Sequence, residues 1–127
     1  MYKLLIIDDY ESITYPIKCF FERKNYIIYV AHTAEEGLSC IRENKPDIVL
    51  LDIGLPDISG LDVLGKIREK DRDTRVIMIT GQDYADNIEK AKCLGISDYV
   101  KKPLALGLLA ERIDNIAEEL SLEREYV

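Results

Sequence analysis

A chain of 127 residues suits one domain and is long enough to bury most of the surface that its unfolded form exposes. Its 47% apolar and 32% charged residues are ordinary for a globular protein. The 17 basic against 24 acidic residues leave a formal charge of −7, which works against electrostatic binding of this domain to nucleic acid or anionic lipid. No apolar run approaches the ~18 residues of a membrane span, and the opening "MYKLLIIDDY" is too short and too soon acidic for a signal peptide. Cys19, Cys40 and Cys93 are odd in number and lack CxxC spacing, so they read as small apolar fillers in a reducing compartment, and the expected location is cytoplasmic.

Short apolar runs alternate with longer amphipathic stretches. Residues 3–7 predict a first strand that ends on Asp8 and Asp9. "ESITYPIKCFFERKN" follows as a helix with Pro16 inside it, so that it either starts late, capped by Thr14, or kinks. Residues 26–31 are the second strand. Thr33 and Glu36 form a capping box ahead of "AEEGLSCIREN", and Pro46 blocks that helix from continuing. The third strand, 47–51, is an apolar run that stops hard against Asp52, with glycine, proline and loop residues after it. Ser59 and Asp62 make a weaker box before "GLDVLGKIREK". The fourth strand, 75–79, runs into Thr80 and Gly81, and Gly95 is a natural stop after "NIEKAKCLG". The fifth, 98–101, runs into Lys102 and Pro103. In the last helix Leu109, Ile113, Ile116 and Leu120 form an apolar stripe, and the tail "SLEREYV" either frays or begins a connection. The domain is expected over 1–120, with 121–127 a C-terminal tail or linker stub.

Strict alternation of this kind means a parallel sheet covered by helices on both faces, and five strands with right-handed crossovers most simply take the order 2-1-3-4-5. In such sheets the working crevice lies outside the carboxyl ends of the strands, where the strand order reverses. Asp8, Asp9, Asp52, Thr80 and Lys102 all fall on that rim. Three carboxylates there repel one another, at about 4 kcal/mol for a pair ~4 Å apart and an effective dielectric near 20. Lys102 offsets part of this; a raised pKa or a bound cation must supply the rest. Hard oxygen ligands without histidine or thiolate favour Mg²⁺. A phosphoryl group above Asp52 would then meet a metal, a lysine, a hydroxyl and the backbone N–H groups of Ile53 and Gly81, the parts that in-line phosphoryl transfer requires.

Four segments, "LLIIDD", "IVLLDIGLPDISGLDVL", "VIMITG" and "DYVKKP", resemble the receiver domain of bacterial two-component response regulators, in order and over nearly the whole chain. The resemblance implies the flavodoxin-like (CheY-like) doubly wound three-layer α/β sandwich. It also implies that Asp52 accepts a phosphoryl group from a histidine kinase or histidine phosphotransfer protein. Asp9 matches the direct metal ligand, Asp8 a ligand acting through water, and the Gly54 main-chain carbonyl completes the Mg²⁺ set with Asp52. Lys102, in a family-typical cis bond to Pro103, matches the phosphoryl-binding lysine; Thr80 and Tyr99 match the switch pair. Gly54 and Gln82 occupy positions that tune the acyl phosphate's lifetime, and Leu104 stands where phenylalanine is common.

Singly, these residues have plainer readings: Asp8 and Asp9 as caps, Asp52 and Asp57 as turn residues, Thr80 as a strand residue, Tyr99 as packing. Their company is what favours the functional reading. His32 lies far from the acids and is not expected to be catalytic; the resemblance implies a phosphoacceptor switch and not an enzyme. The alternative is a haloacid-dehalogenase-type phosphatase, but the second acid two residues after the nucleophile is absent: Tyr10 follows Asp8 at that distance and Glu11 follows Asp9. A flavin carrier would need a glycine- and hydroxyl-rich loop after the first strand. After Lys102 there is room for one helix and a tail, so the output is expected to be a separate effector or a fused domain outside this sequence. The expected output surface is helix four, strand five and helix five. Arg112 and Ile113 in "LLAERI" leave a homodimer through it open.

Overall fold

Three of the apolar runs are continuous because they form the middle of a sheet and are covered on both faces. The computed structural model describes residues 1–81 and 85–125; Gln82 lies outside the described residues. Strands β1 (Tyr2–Ile7), β2 (Tyr26–Ala31), β3 (Ile48–Asp52), β4 (Arg75–Thr80) and β5 (Asp98–Lys101) alternate with helices α1 (Glu11–Glu22), α2 (Ala34–Asn44), α3 (Gly60–Lys70), α4 (Ala85–Leu94) and α5 (Leu106–Glu125). All pairings are parallel, in the order β2-β1-β3-β4-β5. This is the predicted flavodoxin-like arrangement.

Strand periodicity divides the core in two. Leu4, Ile6, Ile48, Leu50, Ile77 and Ile79 point to one side, where Ile17 and Phe21 of α1 and the stripe Leu109, Ile113, Ile116 and Leu120 of α5 cover them. Leu5, Ile7, Val49, Leu51, Val76 and Met78 point to the other side, beneath α2, α3 and α4. The register places Asp52 of β3 opposite Ile79 of β4, and Thr80 opposite Lys101 of β5, so the strands end together on one edge.

Helix ends follow the local chemistry, with departures. Thr33 caps α2 by accepting from the Glu36 amide, while the Glu36 carboxylate accepts from the His32 amide, one residue before the cap. Ser59 caps α3, but through Leu61, two residues on. Helix α1 does not start late: it begins at Glu11 and takes Pro16 into its interior, while Thr14 is buried within it instead of capping it. Proline there removes the bond to the Ser12 carbonyl, a loss set against the burial of Ile17 and Phe21 on the same helix. At the other end, α5 runs past Leu120 to Glu125. Ser121 bonds Tyr2, and Glu123 and Arg124 pair with Arg75 and Asp47 at the amino ends of the strands.

Two glycines of α3 separate close approach from mere flexibility. A Cβ at Gly60 would lie 2.2 Å from the Asp52 carbonyl oxygen, whereas one at Gly65 would meet nothing within 4 Å. Gly60→Ala should therefore destabilise the fold by about 1–3 kcal/mol through overpacking against backbone. Gly65→Ala should stabilise it by roughly 0.5–1 kcal/mol through helix entropy. Urea unfolding of the two variants checks this; equal effects would mean that α3 does not press on the end of β3.

Candidate functional site

Each strand delivers one or two polar groups to the carboxyl edge. Asp8 follows β1 and is fully buried, its amide bonded to the Ala31 carbonyl and its Oδ1 accepting from the Tyr10 amide at 3.0 Å. Asp52, the last residue of β3, is 4% exposed. Carboxylate oxygens of Asp8, Asp9 and Asp52 lie within 4.8 Å of one another. From beyond β5, Lys102 extends its ammonium 3.1 Å from Asp8 Oδ2 and 3.4 Å from Asp52 Oδ2, and its bond to Pro103 is cis. Thr80 is buried at the end of β4, and its carbonyl accepts from the Lys102 amide. The structure thus brings together Asp8, Asp9, Asp52, Thr80 and Lys102, as the sequence predicts.

The electrostatics are those of a crowded acid site with too little positive charge. Burial and the neighbouring Asp8 charge push the Asp52 pKa above the usual carboxylate value, and Lys102 and the Gly54 amide counter this only in part. Burial works against the Lys102 ammonium, yet its contacts with Asp8 and Asp52 more than offset that and raise its pKa. Among the described residues the buried Asp9 Oδ1 has no hydrogen-bond partner, and the buried Asp8 Oδ2 has the Lys102 ammonium at 3.1 Å as its contact. Buried carboxylate oxygens left this way are costly unless a cation or donor joins them. The donor set is all oxygen, which fits a hard divalent ion such as Mg²⁺.

The backbone around Asp52 departs from expectation at one residue. The Ile53 amide, expected to face a phosphoryl group, donates to the Ile79 carbonyl at 3.1 Å and so continues the β3–β4 ladder. The Gly54 amide is near enough to the Asp52 carboxylate to lower its pKa. Gly54 and Gly81 are both exposed, and a Cβ added at either would meet nothing closer than 3.9 Å, so the crevice is open on those two sides. The Tyr10 ring stands on another side, with the Lys102 ammonium 5.8 Å from its centroid.

Away from the acids, Tyr99 is half-buried on β5, with the Lys92 ammonium 5.7 Å from its ring. Arg112 of α5 pairs with Asp98 of the same chain. His32 is exposed, but it is not far from the acids as expected: it follows Ala31, the register partner of Ile7, whose carbonyl accepts from the Asp8 amide. Asp57, a turn residue by its sequence, instead bonds the amides of Ala34 and Glu35 at the start of α2. No local pattern signals this contact, because its partners lie more than 20 residues away.

The response regulator receiver domain model matches residues 4–114. The chain belongs to that family. This receiver domain is 36% identical over 110 residues to the uncharacterized transcriptional regulatory protein YkoG of Bacillus subtilis, covering 87% of the chain and 48% of that relative. It is 37% identical over 101 residues to the regulatory protein VanR of Enterococcus faecium, covering 80% and 43%. It therefore spans about half the length of these curated relatives. A receiver domain protein of Methanospirillum hungatei superposes with a TM-score of 0.93 at 31% identity, over 97% of this chain and 98% of that one. The family is that of two-component signalling, and nothing among these relatives supports the phosphatase alternative.

The charge imbalance has a measurable consequence for the receiver domain itself. Asp52's raised pKa means that its ionisation costs folding free energy: the cost is absent below the unfolded value near pH ~3.9 and grows as pH rises through the folded value. Asp52→Asn should therefore melt at a higher temperature than wild type at neutral pH without divalent metal. The difference should shrink as the pH falls towards 4. Melting curves between pH 4 and pH 8 check this; a variant less stable than wild type at neutral pH would mean that the Lys102 pairing outweighs the crowding.

Proposed function

We propose that Asp52 takes a phosphoryl group from a phosphohistidine of a histidine kinase or phosphotransfer protein, and that Thr80, Lys102 and Tyr99 convert the new charge into a changed output face. The observation that carries this reading is the cluster of buried Asp8, buried Asp52 and half-buried Asp9, in which the Lys102 ammonium reaches Asp8 and Asp52 and the buried Asp9 Oδ1 has no hydrogen-bond partner among the described residues. Asp9 and Asp52 with the Gly54 carbonyl would hold Mg²⁺ directly, and Asp8 through water; the ion would neutralise charge on the transferred group.

The chain's own groups do the rest. An Asp52 carboxylate oxygen forms the bond to phosphorus as the bond from phosphorus to the donor's imidazole nitrogen breaks, and the electron pair leaves with the imidazole. The exposed residues Gly54 and Gly81, next to Asp52 and Thr80 on the same rim, would offer their amides to the phosphoryl oxygens. Lys102 then pairs with the phosphoryl oxygens in place of the Asp52 carboxylate.

Phosphorylation replaces one negative charge by nearly two at the centre of the rim. Thr80 and Lys101 are register partners, and Tyr99 lies two residues before Lys101 on β5, so the route from Asp52 to the α4–β5–α5 face is short. Shifting such a switch from about 1% to 99% active needs about 5.5 kcal/mol of preference. A few charge-assisted hydrogen bonds, at roughly 1.5–3 kcal/mol each, can supply it. A cytoplasmic location accords with a kinase partner; no helix among the described residues is long and apolar enough to cross a membrane. The output is proposed to lie in a fused domain or a separate effector, in keeping with regulators about twice this length among its relatives.

Incubation with acetyl phosphate or a phosphorylated histidine kinase and Mg²⁺, followed by intact-mass measurement, tests the assignment. Wild type and Thr80→Ala should gain one base-labile phosphoryl group, and Asp52→Asn none. An undiminished adduct on Asp52→Asn would overturn it.

A further inference from the structure

Gly54 lies in the stretch between β3 and α3 and cannot anchor itself. It has no side chain, it is exposed, and a Cβ built on it would lie 4.0 Å from Asp52 Oδ2 and meet nothing else within that distance. Its carbonyl is therefore placed by what holds its neighbours. On the near side that anchor is Ile53, whose amide bonds Ile79 and whose carbonyl accepts from the Leu55 and Gly60 amides at 3.2 and 2.8 Å. On the far side it is Asp57. One carboxylate oxygen of Asp57 accepts from the Ala34 amide at 2.9 Å and the other from the Glu35 amide at 3.1 Å. The two amides belong to the first turn of α2, where no intrahelical partner exists for them. These bonds, that of Ala34 first, hold the Asp57 carboxyl below its usual pKa although it is exposed.

We propose that Asp57 is a positioning residue for the metal site: by clamping the β3–α3 loop to the start of α2, its carboxylate holds the Gly54 carbonyl where an ion on Asp9 and Asp52 can use it. The role rests on the reading of Asp8, Asp9 and Asp52 as a Mg²⁺ site. Asp57 touches neither the metal nor the phosphoryl group. It acts through the two intervening residues, Leu55 and Pro56, in a loop that is also held at Ile53 and by the packing of Leu55 and Ile58 on the second core.

The same helix supplies a control. Thr33 also caps α2, through the Glu36 amide, but lies outside the loop. Asp57→Ala and Thr33→Ala each remove a cap from α2, and both should melt somewhat below wild type. Only Asp57→Ala frees the loop. Mg²⁺ titrations followed by amide resonances at the crevice, at a temperature where all the variants are folded, separate the two effects. Wild type and Thr33→Ala should bind alike, Asp57→Ala roughly tenfold more weakly, as is usual when a group that orients a metal ligand is removed. Asp9→Ala should lose the site. Wild-type affinity in Asp57→Ala, or equal weakening in Thr33→Ala, would overturn the positioning role alone. Undiminished binding by Asp9→Ala would overturn the metal reading, and the positioning role with it.

Discussion

Carboxylates in an interior cost free energy in proportion to their burial, and the cost grows when they face one another. Asp8 is fully buried, Asp52 nearly so, and Asp9 joins them within 4.8 Å. One ammonium, that of Lys102, stands against this charge. A domain with no use for such a cluster would be more stable without it. The sheet, the loops and the helix ends around the rim are intelligible as the means of holding these charges in place without letting them separate.

The parallel sheet does most of that holding. Its middle strands are apolar on both faces and end on Asp8, Asp52 and Thr80, so a slip of one residue would carry a polar end group into an apolar layer. The register therefore fixes Asp52 beside β4's end, and Thr80 beside Lys101. Lys102's amide bonds the Thr80 carbonyl, which ties the start of the loop after β5 to the end of β4. An element with two arrangements of similar free energy needs only a local bias to change its population.

Most of this was legible in the sequence, and the failures are instructive. Apolar runs with acids at their ends located the strands, and Thr33 with Glu36 marked α2, because those signals are local. The Ile53 amide could not be placed, since nothing in "LLDIG" says whether the ladder stops at Asp52 or includes the next amide. Pro16 argued for a late start of α1, yet burial of Ile17 and Phe21 carries the helix through it. Asp57 was invisible as a cap because its partners come from α2, and Gly60's constraint because the carbonyl it faces belongs to β3. Contacts between segments distant in sequence leave no periodicity and no spacing to read.

The central claim is that the crowded acids exist to hold a cation and a phosphoryl group together. A crystal structure with Mg²⁺ and beryllofluoride, whose fluorines stand in for phosphoryl oxygens, tests it most directly. The expected result is beryllium on Asp52 and an ion touching Asp9, Asp52 and the Gly54 carbonyl, with Lys102 moved from Asp52 onto a fluorine. An ion bound elsewhere, or an undecorated Asp52 with Lys102 still between Asp8 and Asp52, would contradict it.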